Sequence, residues 1–234
     1  MGTKLYRVED KYWGTALELY QLQRRLDTVL RADMNENGRD GYSVVSLYFD
    51  DLADSCLAEA AEGNNDRRKY RIRIYNHSLD VIKLEVKENR NNRIFKKAKR
   101  ITAEELEKLA DGRCIEDSSS AEDPAFLFNA AIRTRGLRPK VIVAYERKAY
   151  TYAPGNVRIT FDRNVRASRR TDEFGRQGIA YDFLEDGDSV LEIKYDEFLP
   201  GFILQLMETG RLRQTAYSKY RLCRERYGAA VPGK

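Results

Sequence analysis

One histidine, three cysteines, five prolines and one tryptophan among 234 residues leave several chemistries short of material. The lone histidine, His77, falls in a turn between two strand-like segments with no partner clustered around it. It reads as a structural turn residue, not a general base. Cys56, Cys114 and Cys223 are far apart and form no CxxC pair, so they read as reduced packing residues of a cytosolic chain. No window reaches the roughly 18 apolar residues of a membrane span, and the first residues lack the apolar run of a signal peptide. The expectation is a cytoplasmic chain without a membrane segment.

What the sequence has in quantity is charge. Charged residues make up 34% of the chain, with 42 Lys and Arg against 37 Asp and Glu, a net +5. That excess favours anionic partners such as nucleotides, nucleic acid or polyphosphate without choosing among them. The tyrosines do not interleave with the cations as a stacking platform, so no specific nucleic-acid partner is expected. The length suits one large domain or two small ones, and a single domain over 1–234 is the expectation.

Alternation of side chains along a strand marks eight strand segments: 5–11, 42–50, 68–75, 81–87, 93–101, 141–147, 157–162 and 190–194. Helices fall between and after them. Thr15 with Glu18, and Thr102 with Glu105, are capping boxes; Asp123 followed by Pro124 opens another helix that stops at Gly136. The first of these helices carries leucines at helical spacing and fades at Asn35-Glu36-Asn37-Gly38. Short helices are expected over 52–61, 198–207 and 215–227. Residues 164–188 are polar and turn-rich and read as a long mobile loop. The class is α+β, mostly antiparallel.

About six of the strands place charges at one parity and apolar residues at the other. In the centre, Tyr70, Ile72 and Ile74 oppose Lys69, Arg71 and Arg73, and Ile82, Leu84 and Val86 oppose Lys83, Glu85 and Lys87. Eight strands suit a small closed barrel, which leaves two arrangements open. Either the charges face solvent around an apolar core, or the apolar faces lie under the helices and the charges converge. In the convergent case the set is Arg7, Glu9, Lys11, Arg71, Arg73, Lys83, Glu85, Lys87, Lys97, Lys99, Arg147, Arg158, Asp162, Glu192 and Lys194. So many cations cannot leave water together without bound anions, and a polyphosphate has the oxygens to meet them. Glu9, Glu85 and Glu192 would then hold a hard divalent cation.

The ordered pieces Ser46-Leu47-Tyr48-Phe49-Asp50, Arg71-Ile72-Arg73-Ile74-Tyr75, Leu84-Glu85-Val86-Lys87, Lys97-Ala98-Lys99, Tyr145-Glu146-Arg147, Val157-Arg158-Ile159-Thr160, Leu191-Glu192-Ile193-Lys194 and Tyr217-Ser218-Lys219-Tyr220 resemble the VTC-type polyphosphate polymerase domain, of the CYTH-like triphosphate tunnel metalloenzymes, over about residues 4–227. The chain departs from that superfamily's ExExK signature: Arg7 stands where the first Glu would be, before Glu9-Asp10-Lys11. The resemblance implies a closed antiparallel eight-stranded tunnel barrel with a charged lumen, helices packed outside and a C-terminal helix plugging one end. It implies metal-dependent transfer of the γ-phosphate of ATP onto polyphosphate, with Mn2+ or Mg2+ as cofactor and ATP and polyphosphate as partners. A triphosphatase on the same scaffold, or a non-catalytic polyphosphate or nucleotide binder, are the alternatives. Lys87, Arg147, Lys194 and Lys219 would be catalytic. Lys11, Arg71, Arg73, Lys97, Lys99, Tyr145, Arg158 and Ser218 would bind phosphate, with Ser218 and Lys219 at one tunnel end. Glu192, Glu85 and Glu9 would bind metal.

Overall fold

The computed structural model describes residues 7–33, 41–64, 66–90, 93–184, 189–208 and 212–229. In chain order the elements are β1 (Arg7–Trp13), α1 (Ala16–Asp27), β2 (Arg31–Ala32), β3 (Tyr42–Asp50), α2 (Ser55–Ala61), β4 (Arg67–Tyr75), β5 (Ser78–Arg90), β6 (Arg93–Ile101), α3 (Ala103–Ala110), α4 (Pro124–Arg135), β7 (Arg138–Tyr152), β8 (Val157–Ser168), β9 (Asp182–Phe183), β10 (Val190–Asp196), α5 (Gly201–Met207), β11 (Arg213–Gln214) and α6 (Lys219–Arg226).

All eight expected strands are present, and the strand expected over 5–11 begins at Arg7 among the described residues. They do not close. The strands form one sheet in the order β11-β1-β10-β8-β7-β3-β4-β5-β6, with β2 on β7 and β9 on β8 as short additions. A closed barrel requires the last strand to pair back onto the first. Here β6 pairs with β5, and the second side of β1 is taken by β11 through Tyr12 opposite Gln214 and Trp13 opposite Arg213. The expected tunnel barrel with a charged lumen is therefore replaced by an open antiparallel sheet. With no lumen to plug, α6 instead contacts β3. Tyr220 stacks on Tyr48 with ring centres 5.1 Å apart.

The chain forms two compact units. The first comprises Met1–Ser43, Tyr145–Val165 and Phe183–Tyr217; the second comprises Val44–Ala144, Arg166–Asp182 and Ser218–Lys234. In the first, α1 and α5 cover the apolar parity of the strands: Leu19, Leu22 and Leu26 with Ile203 and Met207 pack on Val157, Ile159, Phe161, Leu191 and Ile193. In the second, α4 does the same work. Phe128 meets Phe49 and Tyr70 edge-on, each at 5.2 Å between ring centres, a favoured aromatic geometry. Ile72, Leu84 and Val86 lie fully buried in the same unit. Within each unit the apolar strand faces thus lie under helices, one half of the convergent arrangement.

The local signals act as expected at most helix ends. Both capping boxes form, and Asp123 caps α4 through Ala125 N, with Pro124 in the first turn and Gly136 left-handed at φ 66°. The first helix is shorter than expected: α1 ends at Asp27, and Arg31–Ala32 instead pair with Tyr150 and Thr151. The Asn35–Gly38 stretch where it was expected to fade lies outside the described residues. The segment 164–188 is also more ordered than its composition implies. β8 runs on to Ser168, a 3-10 turn spans Thr171–Glu173, and β9 pairs with β8; residues 185–188 are not described. Its order comes from contacts that have no sequence period. Arg166 lies 5.1 Å over the Tyr181 ring, and the Tyr227 hydroxyl donates to Asp182 at 2.8 Å. No helix among the described residues is long and apolar enough to cross a membrane. Cys56 and Cys223 are buried, and burial pushes both thiols up, Cys223 to about 12, as befits packing residues.

Asp50 ties three elements together. Its carboxylate accepts from Asp51 N at 2.9 Å, from Cys56 N at 2.9 Å and Leu57 N at 3.0 Å at the start of α2, and from the Tyr220 hydroxyl at 2.6 Å. The residue before α2, Asp54, makes no capping bond of its own, so a strand-end carboxylate satisfies the orphan donors of that helix. Asp50→Ala strands these donors in a buried setting and is expected to lower stability by about 3 kcal/mol or more. Asp50→Asn, which keeps one acceptor oxygen, costs less. Urea unfolding of the three proteins measures the difference.

Candidate functional site

The ionic parity of the second unit is built by the β4–β5–β6 ladder. Register places Lys69 opposite Lys87 and Lys87 opposite Lys96. The next row is Arg71, Glu85 and Ala98, and the one after is Arg73, Lys83 and Arg100. These three rows hold seven cations and one carboxylate. Like charges directly across a ladder repel, so the arrangement leans on Glu85. Arg71 reaches Glu85 Oε2 through Nε and Nη2, both at 2.7 Å, and Lys96 Nζ reaches Oε1 at 2.6 Å. Arg73 lies 3.9 Å from the same carboxylate and donates to Ser46 Oγ at 3.1 Å. Arg71 also donates to the Tyr48 hydroxyl at 3.1 Å.

Burial alone would raise the Glu85 carboxyl, but Arg71, Arg73 and Lys96 outweigh it and hold it far below the usual carboxylate range. Burial and the neighbouring Arg71 and Arg73 bring Lys96 down to about 8, although Glu85 pulls the other way. Burial raises the Tyr48 phenol, yet Arg71, Arg73 and Lys219 carry it below its ordinary value. The surroundings of every one of these groups are strongly positive. Lys69 donates to Ser218 Oγ at 3.0 Å, which sets the start of α6 beside the lysine row.

Sequence parity had grouped Lys97 and Lys99 with this face. The β5–β6 register places them elsewhere. Arg90 pairs with Arg93 across two residues, so odd-numbered residues of β5 face even-numbered residues of β6, and Lys97 and Lys99 fall opposite Val86 and Leu84. Lys97 donates to the Ala121 carbonyl at 2.5 Å and pairs with Glu88 at 3.8 Å, and Lys99 pairs with the α4 cap Asp123 at 3.2 Å. Lys96 takes the position beside Glu85. The two-residue gap between the arginines was the signal that could have identified it. Arg100 and Tyr48 join the face in the same way, by register, beside Lys69, which alternation already places with Arg71 and Arg73.

The first unit carries a different arrangement. Glu9 faces Lys194, Lys11 faces Glu192, and Lys194 and Glu192 in turn face Arg158 and Thr160. Opposite charges thus oppose each other across β1 and β10, the favourable cross-strand case. Lys194 Nζ lies 3.5 Å from Glu9 and 3.2 Å from Glu192, while Lys11 is 3.9 Å from Glu192 and donates to the Tyr217 carbonyl at 3.0 Å. Arg147 grips Asp162 with two bonds, of 2.6 and 2.7 Å, and lies 5.2 Å over the Tyr145 ring. Burial works against the Arg147 charge, but Asp162 and, more weakly, Glu192 raise its pKa well above the ordinary value. Arg158 pairs with Asp33 at 2.5 Å and donates to the Tyr42 hydroxyl at 3.1 Å. Asp33 and Tyr42 carried no sequence signal for this role.

The metal-ligand candidates divide accordingly. Among the described residues no group of three or more His, Cys, Asp or Glu is placed to cage a metal. Glu9 and Glu192 both approach the Lys194 ammonium, at 3.5 and 3.2 Å. Two carboxylates suit a magnesium-type ion that keeps waters and takes phosphate oxygens for its remaining ligands. Glu85 belongs to the second unit, and its oxygens are already engaged by Arg71, Arg73 and Lys96.

Comparison with solved structures finds a protein of Pyrococcus horikoshii OT3 at 15% identity and TM-score 0.49, covering 94% of this chain and 99% of that one. It also finds a mimivirus capping-enzyme triphosphatase at 13% identity and TM-score 0.38, covering 85% of each chain. Likenesses of that strength carry nothing about the chemistry of this chain. Comparison with the curated proteins finds no match.

Linkage gives the lowered Glu85 pKa a measurable sign. A carboxyl held below its unfolded value of 4.5 contributes stability that is complete above that pH and is lost as pH falls below it toward the folded value. Urea unfolding is expected to show this acid loss in the native protein. Glu85→Gln flattens it and lowers stability at neutral pH by about 3 to 5 kcal/mol, because Arg71, Arg73 and Lys96 lose their shared counter-charge.

The family model of the VTC domain matches residues 6–226, and the chain belongs to the VTC domain family.

Proposed function

We propose that the protein is a metal-dependent polyphosphate polymerase that transfers the γ-phosphate of ATP onto a polyphosphate chain. Family membership supports the coarser statement, an enzyme of triphosphate or phosphoryl-transfer chemistry. The single observation behind the finer reading is the set of three successive rows, Lys69 with Lys87 and Lys96, Arg71 with Glu85 and Ala98, and Arg73 with Lys83 and Arg100, in which Glu85 is the only carboxylate. Such rows fit a linear polyanion, whose successive phosphates meet successive cations.

In the proposed reaction a terminal phosphate oxygen of the chain attacks the γ-phosphorus of ATP. The bond from that phosphorus to the β,γ-bridging oxygen breaks, and ADP leaves with the electron pair. The attacking oxygen is already ionised, so no general base is required, in keeping with a chain whose one histidine, His77, sits in a strand turn. Catalysis then rests on positioning and charge neutralisation. Lys87, Arg71 and Arg73 in the second unit are proposed to hold phosphates, with Ser218 and Lys219 at the start of α6. Lys11, Tyr145, Arg147, Arg158 and Lys194 are the corresponding proposals in the first unit. Glu9 and Glu192 would hold Mn2+ or Mg2+, whose part is to neutralise phosphate oxygens.

Incubation with ATP and manganese, followed by separation of the products, tests the reading. ADP with long-chain polyphosphate is expected. Free phosphate alone would identify a hydrolase, and unchanged ATP a binding protein. Lys87→Ala is expected to cut turnover by about 100-fold or more while circular dichroism and unfolding remain native; undiminished activity would remove the lysine row from the site. Glu192→Gln is expected to shift the manganese titration to higher concentration with little change in ATP binding. An unshifted titration would take Glu192 out of the metal site.

A further inference from the structure

One row beyond the three lysines, where β4 begins and β5 ends, the second unit contains a cavity of about 410 Å3. That lies within the usual range for small-molecule sites. Its lining differs in kind from the lysine rows. Three guanidiniums, Arg67, Arg68 and Arg135, are matched there by three carboxylates, Asp66, Glu59 and Glu88. Part of this set is spent on the walls. Arg68 pairs with Glu88 at 2.7 Å, and its backbone N–H donates to Glu59 at 3.2 Å. Arg135 lies over the Tyr70 ring at 5.6 Å and approaches Asp51 at 3.8 Å.

Three groups remain with capacity. Arg67 uses Nη1 on the Asn64 carbonyl at 2.9 Å, which leaves the rest of its fork. Asp66 is exposed. Asn89 is 9% exposed, lines the cavity, and its Oδ1 meets no hydrogen-bond donor among the described residues. A buried carbonyl oxygen left so costs about 1 to 3 kcal/mol, which a donor from a ligand recovers. Arg67 and Asn89 stand directly opposite each other in the β4–β5 register. One cation, one anion and one waiting acceptor thus share a charge-balanced cavity. A polyphosphate would meet Asp66, Glu59 and Glu88 as well as the arginines, so this lining disfavours it.

We propose that this cavity binds a small zwitterion of the α-amino-acid class. Its carboxylate lies on the Arg67 fork, and its ammonium donates to Asn89 Oδ1 and Asp66. The site is separate from the one proposed for phosphoryl transfer and does not depend on that reading.

The test is calorimetric titration of the full chain with the standard L-amino acids singly, then with the N-acetyl and the amide form of any that binds. ATP and inorganic phosphate serve as competitors. At least one amino acid is expected to bind, and removal of either of its charges should weaken binding by about tenfold or more. Arg67→Gln and Asn89→Leu should each abolish the signal. Asp66→Asn, an exposed change that leaves unfolding native, should weaken it. ATP and phosphate should not compete. Absence of binding by every amino acid, binding of either capped form as tight as that of the free amino acid, an unaltered affinity in Asp66→Asn, or displacement by phosphate would each overturn the proposal. None of these readouts involves turnover of ATP.

Discussion

Three lysines held directly across from one another on adjacent strands are the constraint on which the second unit turns. The apolar parity of those strands leaves them no alternative. Tyr70, Ile72, Leu84 and Val86 are buried, and a slip of one residue would send that whole set to the other face. The hydrophobic register, worth several kcal/mol per large side chain, therefore dictates an ionic register that is unfavourable by itself. Glu85 relieves part of the repulsion by serving Arg71, Arg73 and Lys96 together. What remains is a positive field whose natural complement is an anion with many oxygens.

The first unit solves a related problem with the opposite outcome. Its strands also bury one parity under helices, but the ionic parity, itself partly buried, sets Glu9 against Lys194 and Lys11 against Glu192. These opposed pairs need no guest for stability. They keep two carboxylates, Glu9 and Glu192, near one ammonium, that of Lys194. The same strand alternation thus yields a surplus of cations in one unit and a charge-paired set in the other. The difference lies in which residues the register brings opposite, not in composition.

Belonging to the VTC domain family fits this chemistry without fixing the architecture the resemblance implied. The strand that closure would leave free to receive β6 is β1, and Arg213–Gln214 occupy its second side. The family-specific pieces survive the opening of the sheet because each is local: Arg71 and Arg73 keep their alternation with Ile72 and Ile74 on β4, and Glu192 and Lys194 keep theirs on β10.

Local sequence was enough for the eight longer strands, the two capping boxes, the Asp123–Pro124 helix start and the separation of ionic from apolar parity, since each depends on residues within a few positions of one another. Register, closure and distant capping were decided only in the tertiary structure. Lys96 stands beside Glu85, and Lys97 and Lys99 do not, because two residues separate the paired Arg90 and Arg93; one residue more or fewer would exchange the two sets. Asp50 caps α2 and anchors Tyr220 from 170 positions away. Alternation tells which residues of a strand share a face. It does not tell which face a neighbouring strand will present to them, because that is set by pairing between segments whose contact the chain makes only on folding.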